Sequence, residues 1–181
     1  MLETIAVFFT LLSVWLTRKQ NIWCWLTGII GTGAFYFIFK ADNSVANMNL
    51  QLLFILQGFY GWFNWGKKDN QEITLSDDIL IAIEVSLTVF VGLFLYALLM
   101  TLNLNLSFLD IATTALSIMG MTLIGHKKLE SWFFWMGADL LYIFYFLSTG
   151  HLLSTLLFVI LFINAFFGFR EWRKELLVKS I

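Results

Sequence analysis

Long apolar runs separated by short polar stretches form the dominant pattern of this chain. The runs fall at residues 2–17, 22–39, 46–64, 79–102, 109–125, 131–149 and 152–169. A helix needs about 17–25 mainly apolar residues to cross the hydrocarbon of a bilayer. The runs lack the alternation of apolar and polar residues that marks the strands of a membrane barrel. The pattern therefore predicts an all-α polytopic membrane protein with seven transmembrane helices.

The composition argues against a soluble domain and against a nucleic-acid partner. Of the 181 residues, 60% are hydrophobic and 13% are charged, whereas soluble domains carry about 25% charged residues. The formal net charge is −1, which suggests neither a nucleic-acid partner nor peripheral attachment to anionic lipid. Membrane lipid is the surrounding that the long apolar runs predict. The single cysteine, Cys24, cannot form a disulfide within the chain. Since no basic residue precedes the first run and no cleavage site follows it, we expect that run to remain as a helix.

The distribution of lysine and arginine predicts the orientation in the membrane. With seven crossings, successive loops lie on alternate sides, and ten of the 11 basic residues fall on one side. The other side holds Lys40 alone. Basic loops stay in the cytoplasm, so the C-terminus should be cytoplasmic and the N-terminus external. The ten residues are Arg18, Lys19, Lys67, Lys68, Lys127, Lys128, Arg170, Arg173, Lys174 and Lys179.

An internal repeat relates the two halves of the chain. Residues 14–39 align with 123–148, which places Trp23 opposite Trp132 and Gly28 opposite Gly137. Dropping two residues from the first half then places Gly61 opposite Gly168 and Trp65 opposite Trp172, and the same alignment pairs Gln57 with Asn164.

The repeat predicts how the chain is organised. The expected parts are a first three-helix repeat (1–68), a linker with transmembrane helix four (69–108), a second three-helix repeat (109–175) and a cytoplasmic tail (176–181). One linker crossing leaves both repeats running in the same direction, a 3+1+3 parallel arrangement found in transporters.

Four aromatic-rich segments carry a resemblance to a known family. They are 21–28 (NIWCWLTG), 59–65 (FYGWFNW), 130–135 (ESWFFW) and 164–172 (NAFFGFREW). In this order they resemble the PnuC family of bacterial vitamin transporters. The resemblance implies a SWEET-like fold in the bacterial cytoplasmic membrane, a homotrimer, and facilitated uptake of nicotinamide riboside. In sister branches the vitamin is thiamine or riboflavin, and a cytoplasmic kinase traps the substrate.

Several positions depart from the family's pattern where specificity is expected to lie. Leu26 stands where many members have proline, and Gly31 stands where nicotinamide riboside carriers have asparagine. Residues 57–59 (QGF) replace an expected asparagine, and Asp139 corresponds to an asparagine of helix six. The family assignment is unaffected, and the choice of vitamin stays open.

Asp139 is the first candidate for binding substrate. An ionisable group deep in a transmembrane helix costs at least about 2.5–3.5 kcal/mol on insertion scales, so it should face a polar cavity or a partner. Nicotinamide riboside and thiamine are both cations, for which a carboxylate is a suitable counter-charge. A structural hydrogen bond to a neighbouring helix is the alternative. Gln57, Asn164 and Asn47 are polar candidates that either line the site or join helices.

Aromatic side chains complete the candidate site. All eight tryptophans lie at the predicted cytoplasmic ends of helices, where a belt at the lipid–water interface is the ordinary interpretation. Rings that face the axis would instead stack on a cationic ring. Trp62, Trp132 and Trp135 are the candidates at helical spacing, Tyr60 belongs to the motif that closes helix three, and Tyr145 would line the external mouth.

Three functional classes remain after this survey. A vitamin uniporter is favoured, a sugar or other nucleoside carrier of the same fold is second, and a membrane enzyme is third. We find no catalytic Ser-His, Cys-His or His-Glu spacing and no phosphate-binding glycine loop. We therefore expect no catalytic residue, no metal and no cofactor.

Overall fold

The computed structural model is helical throughout its long elements. It describes residues 1–41, 45–67, 72–77, 79, 82–83, 85–87, 89–90, 94, 97 and 108–179. The complete helices are α1 (Leu2–Arg18), α2 (Trp23–Ala41), α3 (Val45–Trp65), α4 (Phe108–Gly125), α5 (Ser131–Ser148) and α6 (Leu152–Lys179). The described residues from 79 to 97 are helical as well. The prediction of an all-α chain with seven helices is confirmed.

Two matching turns connect the helices at one end of the molecule. Gln20, between α1 and α2, has a φ of 53°, and Lys127, between α4 and α5, has a φ of 52°. Positive φ is uncommon for residues with a side chain. In the first turn the Asn21 N–H donates to the Leu16 carbonyl at 3.0 Å. The equivalent bond is present in the second turn, between α4 and α5. The chain therefore reverses its direction in the same way at both places.

Helix α6 is longer than the sequence pattern predicts. The apolar run ends near residue 169, but the helix continues to Lys179. The added part carries Arg170, Glu171, Arg173, Lys174 and Glu175. The prediction counted apolar residues only, whereas a helix satisfies its own backbone and continues into water with charged side chains. Residues 176–179 of the predicted cytoplasmic tail are helical, and the assignment of 176–181 to the cytoplasm stays a prediction.

The six complete helices form a closed ring. The backbone of each helix lies close to its two neighbours in the cyclic order α1, α2, α3, α4, α5, α6 and back to α1, and no further pair among these helices has closely approaching backbones. The contact of α3 with α4 and that of α6 with α1 join the two halves of the chain. All six complete helices therefore border the axis of this ring.

The outer surface of the ring is strongly apolar. Phe8, Phe37, Phe63, Phe144 and Leu153 are among the many large apolar side chains that are exposed. Two described helices, Trp23–Ala41 and Leu152–Val178, are long and apolar enough to cross a bilayer. Core helices of soluble proteins can be equally apolar, but they are buried, and only 11% of the most apolar stretch of Leu152–Val178 is buried here. This surface matches lipid better than water.

The two halves correspond at a constant spacing of 107 residues. This spacing pairs Gly61 with Gly168 and Trp65 with Trp172, as the sequence predicts. It also pairs the two positive-φ turn residues, 20 and 127. The predicted pairing of Trp23 with Trp132 is wrong, because Trp25 makes the contacts in the first half that Trp132 makes in the second. The sequence alignment of 14–39 with 123–148 pairs the basic residues 18–19 with 127–128. This choice shifts helix two by two residues relative to the spacing of 107.

Candidate functional site

Four buried tryptophans close one end of the ring. Trp25, Trp65, Trp132 and Trp172 are 3%, 5%, 1% and 0% exposed. The Trp25 and Trp65 rings meet edge to face with centroids 5.4 Å apart, and the Trp132 and Trp172 rings do so at 5.3 Å. Trp65 and Trp172, whose centroids are 6.3 Å apart, link the two halves. We call these four residues the tryptophan plug.

Glycines make room for the plug. A Cβ atom added at Gly61 would lie 2.2 Å from the Trp25 ring, and one added at Gly168 would lie 2.5 Å from the Trp132 ring. Both distances are far inside van der Waals contact. The glycines that the sequence identified as repeat partners are therefore the places where α3 and α6 admit an indole from the preceding helix.

Exposure is compatible with the belt interpretation for some tryptophans, and burial excludes it for others. Trp15 and Trp23 are exposed on the outside of the ring, as a belt requires. The four plug residues are buried between helices, so a belt does not describe them. Tryptophans of an interfacial belt and tryptophans of a packed core have the same helical spacing in the sequence. Only their packing in the structure distinguishes the two.

Several buried polar atoms have no hydrogen-bond partner among the described residues. They include the indole nitrogens of Trp25, Trp132 and Trp135 and the side-chain oxygen of Gln57. Leaving a buried donor or acceptor unpaired costs about 1–3 kcal/mol. Three N–H donors and one carbonyl acceptor are therefore available for hydrogen bonds to a ligand. Trp25 was missed by the sequence reasoning, although the spacing of 107 from Trp132 would have identified it.

Asp139 is buried on α5, as its position in the sequence predicts. No hydrogen bond or ion pair joins its carboxylate to another described residue. Trp135 lies one helical turn before it, on the same face. The Trp135 indole in turn lies against Gly120 of α4, where an added Cβ would be 3.0 Å from the indole nitrogen. A buried carboxylate and an unpaired indole N–H therefore share one face of α5.

Gln57 and Asn164 lie at the two seams between the halves. The Gln57 amide nitrogen donates to the Ile118 carbonyl at 3.2 Å and to the Thr122 hydroxyl at 3.1 Å, which joins α3 to α4. The Asn164 side-chain oxygen accepts from Arg18 at 3.3 Å, which joins α6 to α1. The structure places both amides at equivalent seams, and each takes part in holding helices together.

The remaining candidates are spread over the molecule. Trp62 is half-buried and meets exposed Trp23 edge to face, with centroids 5.5 Å apart. Tyr60 and Tyr145 are exposed, and Tyr145 lies in the last turn of α5, at the opposite end from the plug. Asn47 belongs to α3, and its side chain lies outside the described part of the structure.

A polar cluster beside the plug holds α3 against the α4–α5 turn. The Asn64 amide nitrogen donates to the Gly125 carbonyl at 2.7 Å, and the Trp65 indole donates to the Ile124 carbonyl at 2.9 Å. The Tyr60 hydroxyl and His126 Nε2 are 2.9 Å apart. Burial, with the charges of Lys128 and Lys67, lowers the pKa of His126 below its ordinary value.

Comparison with known proteins agrees with this architecture. The model of the nicotinamide mononucleotide transporter family matches residues 1–174. The nicotinamide riboside transporters PnuC of Escherichia coli (strain K12) and Shigella flexneri are each 24% identical over 201 residues, which cover 94% of this chain and 84% of theirs. A crystal structure of the vitamin B3 transporter PnuC matches with a TM-score of 0.80 and 20% identity, covering 96% of this chain and 80% of that one.

These matches show that the protein is a multi-pass transporter of the inner membrane and not an enzyme. The chain belongs to the nicotinamide mononucleotide transporter family. The resemblance stated from the four aromatic segments is thereby confirmed.

Proposed function

We propose that this protein carries a B-vitamin precursor across the bacterial cytoplasmic membrane by facilitated diffusion, with nicotinamide riboside as the favoured substrate. The observation that carries the proposal is the buried carboxylate of Asp139, which has no partner among the described residues. Nicotinamide riboside has a permanently cationic ring, and a carboxylate in a low-dielectric site attracts such a ring strongly. The curated relatives named above are nicotinamide riboside transporters, which supports this choice of cation.

The proposed site assigns a role to each candidate residue. Asp139 supplies the counter-charge. Trp132, Trp135 and Trp62 offer aromatic faces or N–H donors to the ring and its amide. Gln57, Asn164 and Asn47 offer hydrogen bonds to ribose hydroxyls, and the two tyrosines, Tyr60 and Tyr145, line the approach. Buried Trp132 enters contact with substrate when the plug opens.

The proposed architecture is a SWEET-like pair of three-helix repeats joined by the linker helix. The closed ring, the constant spacing of 107 residues and the matching turns at Gln20 and Lys127 support it. The boundaries are those of the sequence analysis, at 1–68, 69–108 and 109–175. The orientation is N-terminus outside and C-terminus in the cytoplasm, and the protein assembles in lipid as a homotrimer.

The proposed mode of transport needs no nucleotide and no ion gradient. Asp139 is the deep carboxylate among the described transmembrane residues, and its role as counter-charge leaves it no part in proton coupling. Net uptake then follows from trapping, in which a cytoplasmic kinase phosphorylates the vitamin after entry. Thiamine, a second cation, is the alternative substrate on the same observation. Riboflavin, a sugar or a neutral nucleoside carries no positive ring and would need no carboxylate.

The test is the affinity of purified protein for nicotinamide riboside, thiamine, riboflavin and glucose, in the parent and in Asp139→Asn. The variant keeps the shape and removes the charge, so affinity for the cationic vitamin should fall about tenfold to a hundredfold, or about 1.4–2.8 kcal/mol. Glu3→Gln also turns a carboxylate into an amide, at an exposed position away from the site, and serves as the control.

Each outcome of this test has a definite meaning. If Asp139→Asn loses affinity for thiamine to the same extent and does not lose affinity for nicotinamide riboside, thiamine is the substrate. Unchanged affinity for both cations, with the variant intact by gel filtration, would return Asp139 to a structural role. Binding of glucose alone would overturn the vitamin proposal.

A further inference from the structure

An extended segment lies across the end of the ring that the plug closes. Residues 72–77, which follow α3, pair with the α4–α5 turn in a single parallel bridge between Thr74 and Lys128. The Thr74 N–H donates to the Lys127 carbonyl at 3.2 Å, and the Leu129 N–H donates to the Thr74 carbonyl at 3.1 Å. We call residues 72–77 the strap.

Side-chain contacts tie the strap down at a second point. The Ser76 N–H donates to the Glu130 carboxylate at 2.9 Å. Lys128 Nζ donates to the Leu75 carbonyl at 3.2 Å. Together with the bridge at Thr74, these bonds attach three successive strap residues to the turn that leads into α5.

Ile73 inserts from the strap into the plug. It is 6% exposed and packs in the same buried cluster as Trp25, Trp65, Trp132 and Trp172. Leu75, two residues further on, is 52% exposed. Residues two apart in a regular strand point to the same face, so the strap departs from a regular strand here, and its exposures place Ile73 in the plug and Leu75 toward the surroundings.

The turn under the strap also contributes to the plug. Lys127 is buried, and its Nζ lies 4.8 Å from the centre of the Trp65 ring, a cation–π contact. The strap bonds to the backbone of this same residue. Movement of the strap would therefore disturb both Ile73 and the position of Lys127 against Trp65.

The first half of the chain holds its matching turn differently. Charged residues of the α6 extension clasp the α1–α2 turn, with Arg18 Nε and Lys19 Nζ each 3.2 Å from a Glu171 oxygen. Gln20 bonds to Glu175 in the same region. One turn is thus held by a continuous helix and the other by a short extended segment that is not part of a helix.

We propose that the strap is the latch of the transport barrier, and that withdrawal of Ile73 from the tryptophan plug is the step that lets solute pass this end of the ring. The proposal rests on the transport function proposed above. A solute on the axis meets the four packed indoles at this end, and these must separate before it can leave. The strap contacts the plug and can be released without breaking a helix.

The chain carries its own probe of this opening. Cys24 is the single cysteine, is 1% exposed and belongs to the plug cluster. Its rate of alkylation by N-ethylmaleimide in the purified protein measures how often the plug opens, and it needs no substrate. Cys24→Ser confirms that the label enters at this residue.

The first experiment compares Ile73→Ala with Leu75→Ala. Truncating the buried isoleucine leaves a cavity in the plug, so we expect alkylation of Cys24 to become about tenfold faster, which corresponds to about 1.4 kcal/mol in the opening equilibrium. Leu75→Ala makes an equal truncation on the outward face and should label at the parent's rate. Equal rates for Ile73→Ala and the parent, with both proteins folded by thermal unfolding, would overturn the latch.

The second experiment locks the strap and covers the case in which Ile73→Ala does not fold. Thr74→Cys with Lys128→Cys, in a Cys24→Ser background, allows a disulfide at the observed bridge. Oxidation should stop exchange of labelled nicotinamide riboside in liposomes while equilibrium binding stays within about twofold, and a reductant should restore exchange. Full exchange by the oxidised protein would overturn the latch.

The two proposals fail in different ways. If the parent neither binds nor exchanges nicotinamide riboside but Ile73→Ala labels faster, the substrate is wrong and the latch stands. If the parent exchanges nicotinamide riboside while neither strap change has an effect, the substrate stands and the latch is wrong.

Discussion

His126 is held in a setting that suits only its neutral form. The Asn64 amide nitrogen, already oriented by its bond to the Gly125 carbonyl, points at His126 Nδ1 from 3.5 Å. A protonated imidazole carries hydrogens on both nitrogens, so it would set one donor against another. Lys128 and Lys67 add like charge. Burial and these neighbours together make protonation unfavourable in the folded protein.

The first prediction at this scale concerns acid. The pKa of His126 is lowered on folding, so the unfolded chain takes up its proton first as the pH falls through about 6.5. Folded stability from this residue is therefore full above that pH and declines below it. We expect the melting temperature in detergent to fall between pH 8 and pH 6, and His126→Gln to reduce this fall. His151→Gln, at an exposed histidine, is the control, and an equal reduction in both variants would contradict the assignment.

Single residues also mark the limit of what the sequence predicts. The burial of Asp139 follows from its place in an apolar helix, because a carboxylate is costly against lipid. The burial of Trp25 and Trp132 does not follow, because an indole at a helix end suits either the interface or a packed core. Buried Lys127 gives no signal at all in the sequence, since a lysine beside a turn is ordinarily solvated.

At the scale of helices, contacts between glycine and tryptophan fix how closely neighbouring helices pack. The second prediction is that Gly61→Ala and Gly168→Ala each destabilise the protein by about 1–3 kcal/mol, because the added methyl group overlaps a buried indole. Thermal unfolding in detergent measures this effect as a fall of several degrees.

Gly33 provides the matched control for these substitutions. It lies within α2, and an added Cβ would meet nothing within 4 Å. Alanine favours a helix over glycine by about 1 kcal/mol, so Gly33→Ala should leave stability unchanged or raise it. If Gly61→Ala were as stable as Gly33→Ala, the plug would be looser than its ring contacts indicate.

The helices themselves are well predicted, and their packing partners are less so. Starts at Leu2, Trp23, Ser131 and Leu152 agree with the apolar pattern to within a residue, because the length of a membrane span is set by the bilayer. The order of helices around the ring is set by how the side chains of neighbouring helices fit together. That fit cannot be read from the apolar pattern of one sequence. The strap was not predicted, since its bonds are mainly made by backbone groups, which any residue carries.

At the scale of the whole molecule, an approximate twofold relation is combined with two asymmetric features. Equivalent seams, α3 with α4 and α6 with α1, close the ring, and equivalent indoles fill one end. The strap and the α6 extension break the symmetry at that same end. A symmetric carrier would open both seams with equal ease, whereas this arrangement favours movement at the turn that the strap holds.

The last prediction concerns which side of the membrane the plug faces. The basic residues of both turns, Arg18 and Lys19 in one and Lys127 and Lys128 in the other, lie at the plug end of the ring. Lysine- and arginine-rich loops remain in the cytoplasm, so the plug should close the cytoplasmic side and leave Tyr145 toward the outside. Alkaline phosphatase, which is active only outside the membrane, should work when inserted at Gly150 and be inactive when fused after Ile181. A fluorescent protein that matures in the cytoplasm should give the reverse result. Phosphatase activity after Ile181 would show that the chain has the opposite orientation in the membrane. The latch would then control entry of the vitamin and not its release into the cell.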